Sequence, residues 1–188
     1  MKISEVAKIN TGLVLARKKS AINEGFIYKL LTLKSFNQYG YIEDEYLDKF
    51  VAEEKIKEQY LTKEGDVIVR LSFPNVAIHI DIEHENIVIP SLFVVIKATS
   101  NKVLAEFVQI YINSDKCKKH LLSETFGSAV SIVKASTFKE LHIPIYKNEE
   151  QTKIIDLNKL MIKEKKLLNK LVEEKEKYHK NIINNILK

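Results

Sequence analysis

The sequence predicts an α+β fold in two parts: a globular domain over residues 1–148, with a curved, irregular β-sheet and a few helices, and one long helix over residues 149–188. Three observations carry this. Before Pro144, short β-rich runs alternate with turns. Between them, Val103 to Ile112 repeats apolar residues at helical spacing. From Glu149 to Lys188 there is neither Gly nor Pro, and good helix formers dominate.

Five runs read as strands: Leu13-Val14-Leu15, Phe26 to Leu31, Val67 to Leu71, Val76 to Ile82 and Leu92 to Ile96. Val76 to Ile82 alternates apolar with small or polar residues, the period of a half-buried strand. Lys63-Glu64-Gly65-Asp66 is a turn feeding Val67, with Gly supplying positive φ and Asp able to cap. Pro74 and Pro90 break the sheet into short pieces.

The C-terminal helix spans about 55 to 60 Å at 1.5 Å per residue, longer than a domain of this size is wide. Its apolar stripe, flanked by Lys and Glu, is an association surface unless a partner helix covers it. Ile154, Leu157, Met161, Leu168, Leu171, Tyr178 and Ile182 are the expected dimerisation positions. The competing expectation is a helix folded back on its own domain.

At 188 residues the chain has room for one domain plus an appendage and needs no disulfide or metal to fold. The single Cys117 excludes an internal disulfide framework and a Cys-rich metal knuckle. No stretch approaches the roughly 20 apolar residues of a membrane span, and Glu5 stands where a signal peptide carries its apolar run, so a cytoplasmic protein is expected. The net charge of +5 is unevenly placed: residues 151–188 hold ten Lys against five acidic residues, which leaves the first 150 residues neutral. A neutral domain does not exclude nucleic acid, because local patches and not net charge face phosphates.

Catalytic motifs are sparse. The chain has neither an Asn-Pro-Pro-Tyr-type adenine methylation motif nor a Gly-x-Gly nucleotide loop. Glu53-Glu54-Lys55 fits a loose acid-x-Lys nuclease element, but Glu53 to Tyr60 reads as a solvated face. His79, Asp81, Glu83 and His84 suggest metal ligands, against the favoured reading of a polar strand face, and no metal site is expected.

DNA reading needs fork donors for guanine, amides for adenine and Lys for phosphate. Arg17-Lys18-Lys19 is the densest basic cluster outside the long helix and suits the DNA backbone. Lys34-Ser35-Phe36-Asn37-Gln38-Tyr39 interleaves a cation, aromatics and two amides. Arg70 and Asn75 flank a Pro-stiffened turn. Lys34, Asn37, Gln38, Arg70 and Asn75 are thus candidate DNA contacts, whereas Lys116, Lys118, Lys119 and His120 read as a solvated helix face.

Three segments, in order, resemble the specificity subunits of type I restriction-modification systems. They are the opening Lys2-Ile3-Ser4-Glu5-Val6-Ala7-Lys8-Ile9-Asn10-Thr11-Gly12, the Lys63-x-Gly65-Asp66 turn into an apolar strand, and a closing succession. That succession runs from Gly127-Ser128-Ala129-Val130 through Phe138 to Ile145 and into Glu150-Gln151-Thr152-Lys153-Ile154. Full-length members carry two recognition domains and two helical spacers, whereas this sequence has one of each. The resemblance implies a half-length, non-catalytic subunit that binds double-stranded DNA, with Ser128 near phosphate. It further implies an antiparallel coiled coil between two copies and a partner methyltransferase subunit that supplies S-adenosylmethionine, alongside a restriction or translocase subunit in systems that cleave. This chain itself is expected to bind no cofactor. The rival reading is a coiled-coil adaptor that binds another protein and reads no DNA.

Overall fold

The computed structural model describes residues 1–18, 25–125 and 132–187. Among these residues the strands are β1 (Ala7–Thr11), β2 (Phe26–Leu30), β3 (Asp48–Ala52), β4 (Asp66–Arg70), β5 (Ala77–His79) and β6 (Phe93–Ala98). The helices are α1 (Ala105–Asn113), α2 (Asp115–Ser123), α3 (Ala135–Glu140) and α4 (Asn148–Ile186). The main sheet is antiparallel in the order β1-β6-β4-β5, and β2 and β3 form a separate hairpin. The α+β class with a long terminal helix is as the sequence predicts.

Alternation along β4 and β6 divides the core. Val67, Val69, Val94 and Ile96 point to one face, where α1, α2 and α3 contribute Phe107, Val108, Ile112, Leu121 and Phe138. Ile68, Phe93 and Val95 point to the other, against Leu31, Phe36, Ile42, Ile87 and Ile89. Both faces of the central strands are covered, so β4 and β6 read as continuous apolar runs. A third cluster, around Phe50, Ala52, Ile56 and Val88, seats the β2–β3 hairpin.

α1 is stitched to the edge strand by amides. Asn113 accepts from the Ala77 N–H at 2.9 Å and donates to the Ala77 carbonyl at 2.8 Å. Gln109 donates to the carbonyl of Gly40 at 3.2 Å. Gly40, at φ +87, brings its turn so close that an added Cβ would lie 2.4 Å from the Gln109 amide nitrogen.

The Glu150-Gln151 pair acquires a physical meaning at the start of α4. Glu150 caps the helix by accepting from the Lys147 N–H at 3.1 Å. Gln151 is fully buried: its carbonyl oxygen accepts from the Leu104 N–H at 2.9 Å, and its amide donates to the carbonyls of Lys102 at 2.8 Å and Tyr146 at 2.9 Å. Ile155 is buried one turn later and Ile154 packs against the same core.

Several sequence expectations need correction. Leu13-Val14-Leu15 is no strand: Leu13 makes one bridge to Pro90, and a 3-10 turn follows over Leu15–Arg17. The cause is Gly12, which passes so near the next strand entry that an added Cβ would sit 2.1 Å from the Pro90 carbonyl oxygen. The strand expected to reach Ile82 stops at His79, because Asp81 caps a 3-10 turn over Ile82–His84, accepting from the His84 N–H at 3.2 Å. The segment before α4 joins the N-terminus by a single bridge between His142 and Lys2, Pro144 having no N–H to continue a ladder. β1 and β3 were not expected; each buries few large side chains and takes its definition from the strand beside it.

Gln151→Ala should cost about 2 to 4 kcal/mol, since it strips partners from three backbone groups around a buried site; urea denaturation checks this. Burial pushes the Cys117 thiol up to about 12, so at pH 8 it should resist thiol reagents in the native protein and react once the chain is unfolded.

Candidate nucleic-acid interface

The register of the main sheet brings two predicted groups to one end. Thr11 pairs with Val94, and Arg70 pairs with Phe93, so β1 and β4 finish where β6 begins. Here Arg70 is half-buried, its Nε donating to Ser72 Oγ at 2.7 Å, and lost hydration lowers the guanidinium below its ordinary pKa. Phe73 stands exposed on the turn beyond it.

Asn75 does not reach this surface. It is 1% exposed and adopts φ 53, and its amide donates to the carbonyls of Arg70 at 3.1 Å and Leu71 at 2.8 Å. It is the residue that folds the turn, and its placement as a base reader is a correction.

Lys18 follows the Leu15–Arg17 turn and forms an ion pair with Glu54, whose carboxyl it holds below the ordinary value. The two flank a cleft of about 320 Å³ with Gly12, Lys55, Lys57 and Tyr60 on its walls. Lys55 and Lys57 straddle the buried Ile56 and are exposed. On the hairpin itself Lys29 lies directly opposite Lys49. Like charges facing each other across two strands are destabilising without a counter-charge, and Asp44 stands 3.9 Å from Lys29. Lys29 and Lys49 are not among the sequence candidates, and Lys55 and Lys57 lie in the segment read as a solvated face, which is where the structure leaves them. Among the expected contacts, Lys19 and Ser128 lie outside the described residues, and Arg17 enters here by its backbone position alone.

The segment with Lys34, Asn37 and Gln38 sits elsewhere, at the β5 edge. Phe36 stacks on Phe93 with ring centroids 4.7 Å apart. Asn37 is committed to its own turn, donating to Glu43 at 2.6 Å and accepting from the Tyr39 N–H at 2.9 Å. Lys34 and Gln38 are exposed. Tyr39 and Tyr41, on the same turn, meet α4: Lys165 lies 5.7 Å from the Tyr39 ring and Lys166 4.2 Å from the Tyr41 ring. Burial lifts the Tyr41 hydroxyl above its ordinary value, and Asn169 of α4 partly offsets the shift.

α4 is thus two-faced. Gln151, Ile155, Lys166 and Asn169 turn one side toward the chain's own domain. The opposite stripe stays in solvent: Leu157, Met161, Leu168, Leu171, Tyr178 and Ile182 are 39% to 63% exposed. Of the expected dimerisation positions only Ile154 is taken up by the domain's own core.

His79 lies between sheet and α4, and burial lowers its imidazole below its ordinary value. His84 is held by Asp81 at 2.6 Å and approaches Asp44 at 3.4 Å. Among the described residues no three His, Cys, Asp or Glu side chains gather as metal ligands, and no described helix is long and apolar enough to cross a membrane.

A sheet-and-helix domain, with exposed lysines and carboxylates on and beside one hairpin, carries a long helix tied to its side. The family described as type I restriction modification DNA specificity domain matches residues 1–177, and the chain belongs to it. The sequence matches no curated protein. Among solved structures, the chain resembles the HsdS subunit from Thermoanaerobacter tengcongensis with TM-score 0.68 and 14% identity, over 91% of this chain and 43% of that one. A chain from a study of complex assembly and conformational transition of the type I R-M system gives 0.67 at 15% identity, with the same coverages of 91% and 43%. The type I restriction-modification S subunit from M. genitalium gives 0.55 at 15% identity, over 90% and 39%. The chain spans less than half the length of these subunits, and the likeness shows their fold.

Asn75→Ala should lower stability by about 1 to 3 kcal/mol, because the half-buried carbonyls of Arg70 and Leu71 lose the Asn75 amide, Leu71 keeping the Val133 N–H, and the turn loses its positive-φ residue. Gln38→Ala should leave stability within about 0.5 kcal/mol. Denaturant midpoints of the two variants check the contrast.

Proposed function

We propose that this chain is the sequence-reading subunit of a type I restriction-modification system, non-catalytic in itself. Two copies associate through antiparallel α4 helices, read an interrupted palindrome and position a partner methyltransferase that brings S-adenosylmethionine. Where the system restricts, a nuclease-translocase subunit joins the same assembly. The observation that carries this reading is the specificity-domain match over residues 1–177, which includes most of α4. Support also comes from the exposed lysines of the β2–β3 layer, which stand among carboxylates, and from the solvent-exposed apolar stripe of α4. Arg17, Lys18, Lys19, Lys55 and Lys57 act on the DNA backbone. Lys34, Gln38 and Arg70 are the base-reading candidates, and Asn37 positions their loop. Identical heads related by a two-fold axis read the same bases on opposite strands, hence the palindrome.

The near-neutral head predicts weak binding by the isolated chain, and tighter, sequence-preferring, salt-sensitive binding once the methyltransferase is added. Gel shifts over a salt series check this; tight binding by the chain alone that ignores salt contradicts it. Arg70→Ala should cost about 1 to 3 kcal/mol on the target and relax one base position, whereas Lys18→Ala should weaken all sequences alike. Leu168→Glu with Leu171→Glu should give monomers with the head still folded, read by light scattering and circular dichroism.

The decisive experiment is methylome sequencing of cells in which this chain is the sole specificity subunit. An interrupted palindrome is expected. Deleting residues 168–174, two helical turns or about 10 Å, should shorten the gap by about three base pairs at 3.4 Å each and leave both half-sites intact. A continuous or asymmetric site overturns the symmetric reading, and no methylation dependent on the chain favours the protein adaptor.

A further inference from the structure

The apolar stripe of α4 is interrupted by two charges, and their placement fixes how a second copy fits. Following the three-and-four spacing of a heptad from Leu157, the stripe continues through Met161 to Glu164, and then through Leu168 and Leu171 to Lys175 before reaching Tyr178 and Ile182. Glu164 and Lys175 are exposed, and neither enters an ion pair among the described residues.

Their own helix offers them nothing. On a helix surface the neighbours are three and four residues away. For Glu164 these are Leu160, Met161, Leu167 and Leu168, all apolar. For Lys175 they are Leu171, Val172, Tyr178 and His179, without a carboxylate. A charge of each sign in an apolar seam, with no partner in cis, disfavours association unless the partner helix supplies the opposite sign.

We infer that α4 takes a second copy of itself in one antiparallel register, centred between Asn169 and Lys170, in which Glu164 of each copy meets Lys175 of the other. This rests on the homodimer reading above. In that register Leu168 faces Leu171, Met161 faces Tyr178 and Leu157 faces Ile182, so every position of the seam meets its heptad counterpart. A slip of one heptad sets both charges against apolar residues, and a parallel pairing sets Glu164 on Glu164 and Lys175 on Lys175. The charges therefore select register and direction at some cost in affinity, the role polar groups in coiled-coil seams are known to play. The side of α4 that bears Ile155 and Lys166 is already occupied by the chain's own domain, so the second copy has this stripe to itself.

The test uses the full chain in sedimentation equilibrium with Glu164→Lys, Lys175→Glu and the double exchange. Each single change places like charges at two symmetric contacts and should weaken the dimer roughly tenfold to a hundredfold. The double exchange restores both pairs and should return the dimer to near wild-type affinity. A second measurement fixes direction: with Met161→Cys and Tyr178→Cys in one chain, oxidation should yield disulfides between 161 and 178, identified by peptide mass spectrometry. A monomeric wild type overturns the homodimer reading and this register with it. A dimeric wild type in which single changes have no effect, the exchange fails to rescue, or 161 links to 161 overturns the register and leaves the dimer standing.

Discussion

Everything at the C-terminal end depends on one buried amide. Gln151 satisfies three backbone groups, at Lys102, Leu104 and Tyr146, that would otherwise be orphaned where the turn before α1 meets the start of α4. A buried polar group is costly unless fully paired, and a fully paired one admits a single geometry. Ile155 one turn on, and the tyrosines beneath Lys165 and Lys166 further along, then hold a helix whose direction Gln151 has already set.

The second constraint is electrostatic. The globular part, residues 1–148, is close to neutral at +2, and its charges are interleaved: Lys18, Lys29, Lys49, Lys55 and Lys57 of the β2–β3 layer and its flanks stand among Asp44, Asp48, Glu53, Glu54 and Glu58, with Lys18–Glu54 and Lys29–Asp44 as ion pairs. Exposed ion pairs of this kind contribute little to stability, so exchanging a carboxylate for a phosphate costs the fold little.

Much of the fold was legible in the sequence. β2, β4, β6, α1 and α4 were visible because each carries its own period or apolar run. What escaped was defined by neighbours: β1 and β3 exist because β6 and β2 lie beside them, and Leu13 to Leu15, apolar enough for a strand, is diverted by the close backbone approach at Gly12. The site was less legible for the same reason. Asn37 and Asn75 have the chemistry of base readers, but their amides are consumed in making the turns that present Gln38 and Arg70. An amide in a loop sequence is as often the loop's own hydrogen bonding as it is a ligand contact, and composition alone does not separate the two. Gln151, by contrast, stands out in the sequence as a family-like residue, and its three hydrogen bonds give the reason.

The amide of Asn113 at Ala77 carries a consequence for solubility. An outermost strand offers unpaired N–H and C=O groups to any passing chain and is the usual starting point of ladder growth into fibres. Asn113 occupies both groups of Ala77 at once, as a neighbouring peptide would, and the amide of Gln109 reaches the same carbonyl. A side-chain surrogate for the missing strand thus closes β5 to further ladder growth at Ala77.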